Sequence, residues 1–343
     1  MRILVAMSGG VDSSVAAAVL RDAGHDVVGA TMKLWGGESD SGCCSVADVD
    51  DARRVAQQLG LVHHVFNFTD DFDSRVVDPY VDAHRQGRTP NPCVECNRHL
   101  KFDRFLVRAM QLGFDAIATG HHARVASVDD RWRLCRGADP AKDQSYVLSM
   151  LGQDALSRCL LPIGELTKPE VRHRAAALGL RTAAKPESQD VCFILGARGR
   201  GAFLGDRIDL HPATVMDAET GMAIGSVDAV ELVTVGQRRG LGVGGGDVRY
   251  AISVDVGDRR VTVGRRGALD TDVTPLGSFA WVDQPALIGT ALRAQTSAHG
   301  ASSRAIFTGD GLRWAAPVRR VAPGQTVALY DEDDDAVIGS GVA

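Results

Sequence analysis

The strongest chemical signal in this sequence is Ser8-Gly-Gly-Val-Asp-Ser-Ser14, which directly follows a short apolar run and directly precedes a helical pattern. Glycines let the backbone turn sharply and aim N–H groups at an anion, and the helix N-terminus adds partial positive charge. The hydroxyls of Ser8, Ser13 and Ser14 can donate to phosphate oxygens. No Gly-Lys-Ser/Thr follows, so this is not a Walker loop. A plain strand–turn–helix corner capped by serines is the alternative, but glycines and serines packed this densely at a strand end favour an anion cradle. Asp12, inside the loop, is placed equally well to bind a divalent cation beside a phosphate or to cap the helix.

Cysteines supply the second signal. In Thr89-Pro-Asn-Pro-Cys93-Val-Glu-Cys96-Asn97 the prolines hold the chain extended, and a helix begins after them. Cys93 and Cys96 then fall in a first helical turn, where the helix dipole favours thiolate. A structural zinc site needs four ligands, and no second pair of matching spacing exists. Cys192, in Ser188-Gln-Asp-Val-Cys192-Phe-Ile194, follows a proline-bearing polar loop, as suits a segment that closes over a site. Taken alone it reads as a buried apolar residue. Cys43–Cys44 read as an exposed pair or as relay thiols, and Cys135 and Cys159 as core. His121–His122 read as loop polarity.

These groups need a scaffold. Ile3–Ala6, Val27–Met32, Val62–Phe68 and Phe114–Thr119 read as buried strands rich in β-branched residues. Val11–Ala23, Val46–Leu59 and Glu95–Leu112 have helical spacing, the last with Phe102, Phe105, Leu106 and Ala109 on one face. Ser45 and Asp48 resemble a capping box, and Thr167-Lys-Pro-Glu170 opens a helix that Gly179 ends. The alternation implies an α/β fold with a parallel sheet covered on both faces. After about residue 195 glycines multiply and short strand-like runs replace helices. The expected organisation is an N-terminal parallel-sheet domain over 1–199, a small β-rich central domain over 200–268 and a C-terminal β-barrel over 269–343. Asp331–Asp335 reads as a solvated hairpin tip. Arg238–Arg239 are candidate phosphate contacts, whereas Arg319–Arg320 read as an ordinary solvated pair.

Composition sets limits. Among 343 residues, 38 Lys and Arg against 43 Asp and Glu give a net charge of −5, which argues against a general nucleic-acid coat but allows a local basic patch. Seven cysteines are too few and too clustered for a disulfide scaffold. No apolar run approaches bilayer length, and the first residues read as a strand rather than a secretory signal. A cytoplasmic protein without a membrane partner is the expectation.

The Ser8–Ser14 loop resembles the PP-loop signature of ATP pyrophosphatases, which split ATP between the α- and β-phosphates and adenylate a substrate oxygen. Over essentially the whole chain the sequence further resembles the bacterial tRNA-specific 2-thiouridylases (the MnmA family). The motifs are SGGVDSS, TPNPCVECN followed by LKF, ATGHHAR at 118–124, KDQSY at 142–146, LPIGELTK at 161–168, SQDVCFI at 188–194 and VGQRRGLG at 235–242.

The resemblance implies an adenine nucleotide alpha hydrolase-like first domain that binds ATP through Ala6, Met7, Ser8, Gly9, Gly10, Val11, Asp12 and Ser13, with Met32 and Gly120. It implies Cys96 as nucleophile and Cys192 as carrier of a persulfide, loaded by a sulfur-relay donor or cysteine desulfurase. The implied substrate is the wobble uridine of tRNAs for lysine, glutamate and glutamine. Asn91, Pro92 and Cys93 match the segment touching the target base, and His121, Lys142, Asp143, Gln144 and Gln325 match tRNA contacts. The chemistry agrees, because AMP on the uracil O2 makes a leaving group that sulfur can displace. Mg²⁺ would neutralise the departing pyrophosphate.

One departure bears on the chemistry. The family pattern has aspartate where Cys93 stands. Cys93, Cys96 and Cys192 together make a three-thiolate set, the donor count of a [4Fe–4S] cluster with one open iron. The simpler reading makes Cys93 a resolving thiol beside a Cys96–Cys192 disulfide. The family's Arg-Tyr tRNA contact is also missing, since Gln295-Thr-Ser-Ala-His299 is neutral. Two rival functions remain: another PP-loop adenylating ligase, which would not need Cys96 or Cys192, and a non-catalytic RNA-binding protein, which would not need the intact loop.

Overall fold

A computed structural model describes residues 1–35, 45–187, 191–194, 199–244 and 247–343. Cys43 and Cys44 lie outside the described residues.

The first strand shows why the N-terminal half folds as a layered sheet. Arg2–Ala6 alternates its side chains between two cores: Leu4 and Ala6 face one, Ile3 and Val5 the other. A strand buried on both faces reads as a continuous apolar run, as the sequence does here. Five parallel strands lie in the order Val62–Asn67, Asp26–Lys33, Arg2–Ala6, Ala116–Ala118, Cys159–Leu160. Helices Val11–Asp22, Val46–Gln58 and Lys168–Ala177 cover one face through Val15, Val55 and Val171. Helical runs over 69–85 and 92–111 cover the other through Phe72, Tyr80, Leu100 and Phe105. The chain order of the strands reverses beside Arg2–Ala6, so a crevice opens at its C-terminal end, where open α/β sheets bind ligands.

Both expected caps form. Ser45 Oγ accepts from the Asp48 N–H at 3.1 Å, and Thr167 and Glu170 make a reciprocal capping box. The helix expected from Glu95 begins earlier, at Pro92, with Asn91 as its cap. Its middle, Asn97–Arg104, is π-helical, a widened turn that is rare outside functional regions.

The central sheet orders Tyr250–Asp255, Arg260–Gly264, Ala213–Asp217 and Ala223–Val227 around its own core. The third sheet is antiparallel and barrel-like, and it also recruits part of the first half. The hairpin Ala123–Val128/Arg131–Arg136 joins it through Leu134 and Cys135, paired with Val337 and Ala336 of strand Ala336–Val342. Arg136 clamps this seam. Its guanidinium donates to Asp143 (2.7 Å), Asp334 (2.7 Å) and Gln295 (2.9 Å) and stacks 3.8 Å over Tyr330.

The acidic run is therefore more than a solvated tip, because Asp334 and Asp335 pair with Arg136 and Arg124. The Arg319–Arg320 pair is likewise spent. Arg319 donates to the Gly236 carbonyl, and Arg320 to that of Ile252 at 3.1 Å, tying the barrel to the central domain.

Candidate active site

The crevice beside the first strand holds a cavity of about 340 Å³. Its wall includes Ala6, Met7, Ser8, Gly10, Val11, Asp12 and Ser13 of the expected nucleotide loop, with Met32, Gly120, His121 and Gln144. Gly9 does not face it but shapes it. Its φ of +73° is left-handed, and a Cβ there would stand 2.2 Å from the Asp48 carbonyl oxygen. Gly120 meets the helix start as closely, since a Cβ would lie 2.5 Å from Ser13 N. Ser8 N–H donates to Ser13 Oγ at 3.2 Å, and the two hydroxyls lie 3.3 Å apart at the cavity wall. Ser14 takes no such part, because it is buried and donates to Gly10 O at 2.7 Å.

Charged residues that sequence reasoning passed over hold the cavity wall in place. Lys168 is buried, and its ammonium sits 2.8 Å from both carboxylate oxygens of Asp12. His122 Nε2 lies 3.3 Å from Asp12 Oδ1. Burial alone would raise the Asp12 pKa, but the hydrogen bonds from His122 and Lys168 outweigh it and hold the carboxyl below its usual value. Lys185 donates to Gly9 O (3.0 Å), Asp48 (2.6 Å) and Asp51 (2.8 Å), fixing the loop against the second helix. The available signal was LPIGELTK itself: its lysine opens a helix, a place where a charge is positioned rather than solvated.

His121 is buried, with Nδ1 2.7 Å from Thr119 Oγ1, and desolvation pushes its pKa well below the usual range. It is a neutral imidazole. Residues 142–144 fan out to three places. Lys142 reaches Glu187 at 2.7 Å, Asp143 faces Arg136, and Gln144 clasps the His122 backbone at 2.8 Å in both directions.

The cysteines lie apart from the cavity wall. Asn91 caps the Cys93 N–H at 3.1 Å; Pro92 is buried, Cys93 exposed and Cys96 buried. Cys192 is half-buried against the same core as Cys96. Phe193 anchors its segment among Phe203, Tyr80 and Phe72, at centroid distances of 5.0, 5.4 and 5.7 Å. Cys135 and Cys159 are core residues, as expected, and burial lifts their thiols to about 11 and about 12. The cluster reading gains no support from the structure. Among the described residues no three His, Cys, Asp or Glu side chains are placed to hold a metal ion. Cys93 is exposed while Cys96 is buried.

Three modules meet just upstream of Cys93. Thr89 N–H donates to Pro323 O at 2.7 Å, Gln325 Nε2 donates to Thr89 O at 2.5 Å, and Thr89 Oγ1 lies 3.2 Å from Thr234 Oγ1 of the central domain. Gln325 thus bonds the backbone leading into the cysteine helix. Arg238 and Arg239 are exposed on the central domain. No helix among the described residues is long and apolar enough to cross a membrane.

Residues 1–196 match the family model described as the tRNA methyl transferase HUP domain, and residues 308–343 match the aminomethyltransferase beta-barrel domain. Proteins named tRNA-specific 2-thiouridylase MnmA match nearly end to end. One from Roseiflexus sp. (strain RS-1) is 42% identical over 99% of this chain and 98% of its own length. One from Mycolicibacterium paratuberculosis is 45% identical with the same coverage, and one from Chloroflexus aurantiacus is 45% identical over 99% and 97%. With a phosphate loop at the sheet's crevice and relatives aligned over the full length, the chain belongs to the tRNA-specific 2-thiouridylase family.

Proposed function

We propose that this protein is an ATP-dependent tRNA thiolase that converts the wobble uridine of tRNA to 2-thiouridine. The observation that carries the reading is the phosphate-loop cavity, at the strand-order reversal, in a chain 42–45% identical to proteins of that name.

The cavity suits ATP: the glycines admit a phosphate chain, the helix start supplies positive charge, and Lys101 and Lys185 stand on the wall. Attack of the uracil O2 on the α-phosphorus forms an O–P bond and releases pyrophosphate. The terminal sulfur of a Cys192 persulfide then adds at C2. Cys96 thiolate attacks the Cys192 sulfur, leaving the outer sulfur on C2 as AMP departs and a Cys96–Cys192 disulfide forms. A reducing thiol restores the pair. Mg²⁺, when bound, would neutralise the departing pyrophosphate, and Asp12 on the cavity wall would be a carboxylate to hold it.

Residues 1–199 carry this chemistry, while 200–268 and 269–343 grip the tRNA by shape. The base leaves the anticodon stack to reach Asn91, Pro92 and Cys93. His121, Lys142, Asp143, Gln144 and Gln325 belong to the tRNA-facing set by resemblance, and a sulfur-relay protein or cysteine desulfurase loads Cys192.

The test incubates the protein with unmodified tRNA, ATP and a persulfide source, then analyses nucleosides by mass spectrometry. 2-Thiouridine with stoichiometric AMP and pyrophosphate is expected. Stoichiometric ADP and phosphate would overturn the activation step, and tRNA binding without any product would make the chain a binding protein.

A further inference from the structure

Glu187 stands at the wall of the phosphate-loop cavity with cations converging on its carboxylate. Lys142 Nζ is 2.7 Å from Oε2, Lys168 Nζ is 3.1 Å from Oε1, and Arg172 approaches Oε1 at 3.7 Å. The Lys142 hydrogen bond, with Lys168 behind it, outweighs burial and lowers the Glu187 pKa, so the carboxylate is charged at neutral pH.

Of these cations Lys168 is the fixed one. It is buried at the start of helix Lys168–Ala177, its N–H donates to Asp139 at 2.9 Å, and its ammonium is locked to Asp12. Glu187 lies in irregular chain with a side chain 27% exposed, against 9% for Lys168. Glu187 is on the cavity wall while Lys142 and Lys168, its partners, are not, so an anionic phosphate in the cavity reaches these ammonium groups only by taking the place of the Glu187 carboxylate. Carboxylate and phosphate oxygens compete for the same ammonium with similar charge-assisted geometry.

We propose that Glu187 is a placeholder anion, which holds Lys168 and Lys142 until the polyphosphate of a nucleotide displaces it. The proposal rests on the reading of the cavity as the ATP site. It makes Glu187 a specificity-determining residue: a multiply charged phosphate chain can evict a carboxylate, whereas the single phosphate of AMP competes poorly. The cavity thereby favours the triphosphate over the spent nucleotide.

The experiment is calorimetric titration of the full chain with inorganic pyrophosphate, AMP and ATP, with and without Mg²⁺. The variants are Glu187→Gln and Glu187→Ala, with thermal melts to confirm folding. Both neutral variants should bind Mg²⁺-free pyrophosphate about tenfold more tightly, because one charge-assisted contact no longer has to be broken, and AMP affinity should change less than about threefold. Using two variants means that a folding defect in one does not decide the matter. Unchanged or weaker pyrophosphate binding in a folded variant, with ATP still bound by the wild type, would overturn the placeholder alone. Weakening seen only with Mg²⁺ would make Glu187 a metal ligand and overturn it too. Failure of the wild type to bind either ATP or pyrophosphate would overturn the cavity reading and the placeholder together.

Discussion

Lys168 Nζ lies 2.8 Å from both carboxylate oxygens of Asp12, joining the start of one helix to the first turn of another 156 residues earlier. This bidentate pair sets the charge at the mouth of the phosphate loop. Lys168→Met, which keeps the length and removes the charge, should weaken ATP binding by at least about tenfold, read by calorimetry. It should also leave the half-buried Asp12 with His122 as its remaining partner among the described residues.

The same pair has an acid signature. The folded-state pKa of Asp12 lies below its ordinary 3.8, because the His122 and Lys168 bonds overcome a burial effect that would raise it. A carboxyl lowered on folding stabilises the protein above the unfolded value, and that contribution is lost as pH falls through the lower folded value. Asp12→Asn should therefore flatten the decline of melting temperature below about pH 4 relative to wild type.

Gly324 packs its Cα against the backbone of Thr89 in a left-handed conformation, with φ +89°, and a Cβ would meet Thr89 N at 3.2 Å. Gly324→Ala should cost about 1–3 kcal/mol, from strain and from loosening the Thr89 contacts. Thiolation should fall by more than the melting temperature explains, because those contacts lead into the helix that carries Cys96. Equal loss of folded protein and of activity would show that the contact serves stability alone.

Two buried thiols, Cys135 and Cys159, are held in the protonated form. Desolvation pushes Cys135 to about 11 and Cys159 to about 12, so both stay protonated at neutral pH and are poor nucleophiles. Cys96→Ser and Cys192→Ser should each abolish 2-thiouridine while ATP binding survives. Cys135→Ser should leave thiolation largely intact. Near-normal thiolation by Cys192→Ser with the same sulfur source would remove it from the sulfur path.

Arg136 is half-buried among Asp143, Asp334, Gln295 and Tyr330. Arg136→Met should destabilise the chain by about 3–5 kcal/mol, since it leaves the buried Asp143 without its cation and takes from Asp334 one of the two it has, Arg293 being the other. A chemical denaturation curve measures this directly.

The parallel sheet was legible because its inner strands are buried on both faces, although Val62–Asn67, expected to be buried, is a largely exposed edge strand; the phosphate loop was legible because glycine and serine density at a strand end has few other uses. The hairpin 123–136 was not legible. Its turn, Asp129–Asp130, takes positive φ at both residues without the Asn-Gly or Gly-Gly that usually marks such a turn. Lys168, at a helix start, and Lys185 and Glu187, in irregular chain, escaped notice because such a charge looks solvated until its partners, more than a hundred residues away for Asp12 and Asp48, are folded beside it. The sulfurs of Cys93 and Cys96 are three residues apart, but spacing could not show that one is exposed and the other packed.

The pairing of Arg131–Arg136 with Ala336–Val342 has a consequence for how the polypeptide is made. A ribosome must deliver residues 336–342 before the edge of the N-terminal hairpin is covered, so the nascent catalytic half waits with an open strand whose Leu134 is destined for full burial. Open apolar edges recruit other chains, and the interval is one in which chaperones matter. Truncation before the last strand should therefore yield aggregates rather than a smaller active enzyme, and catalytic half and barrel are inherited as one unit.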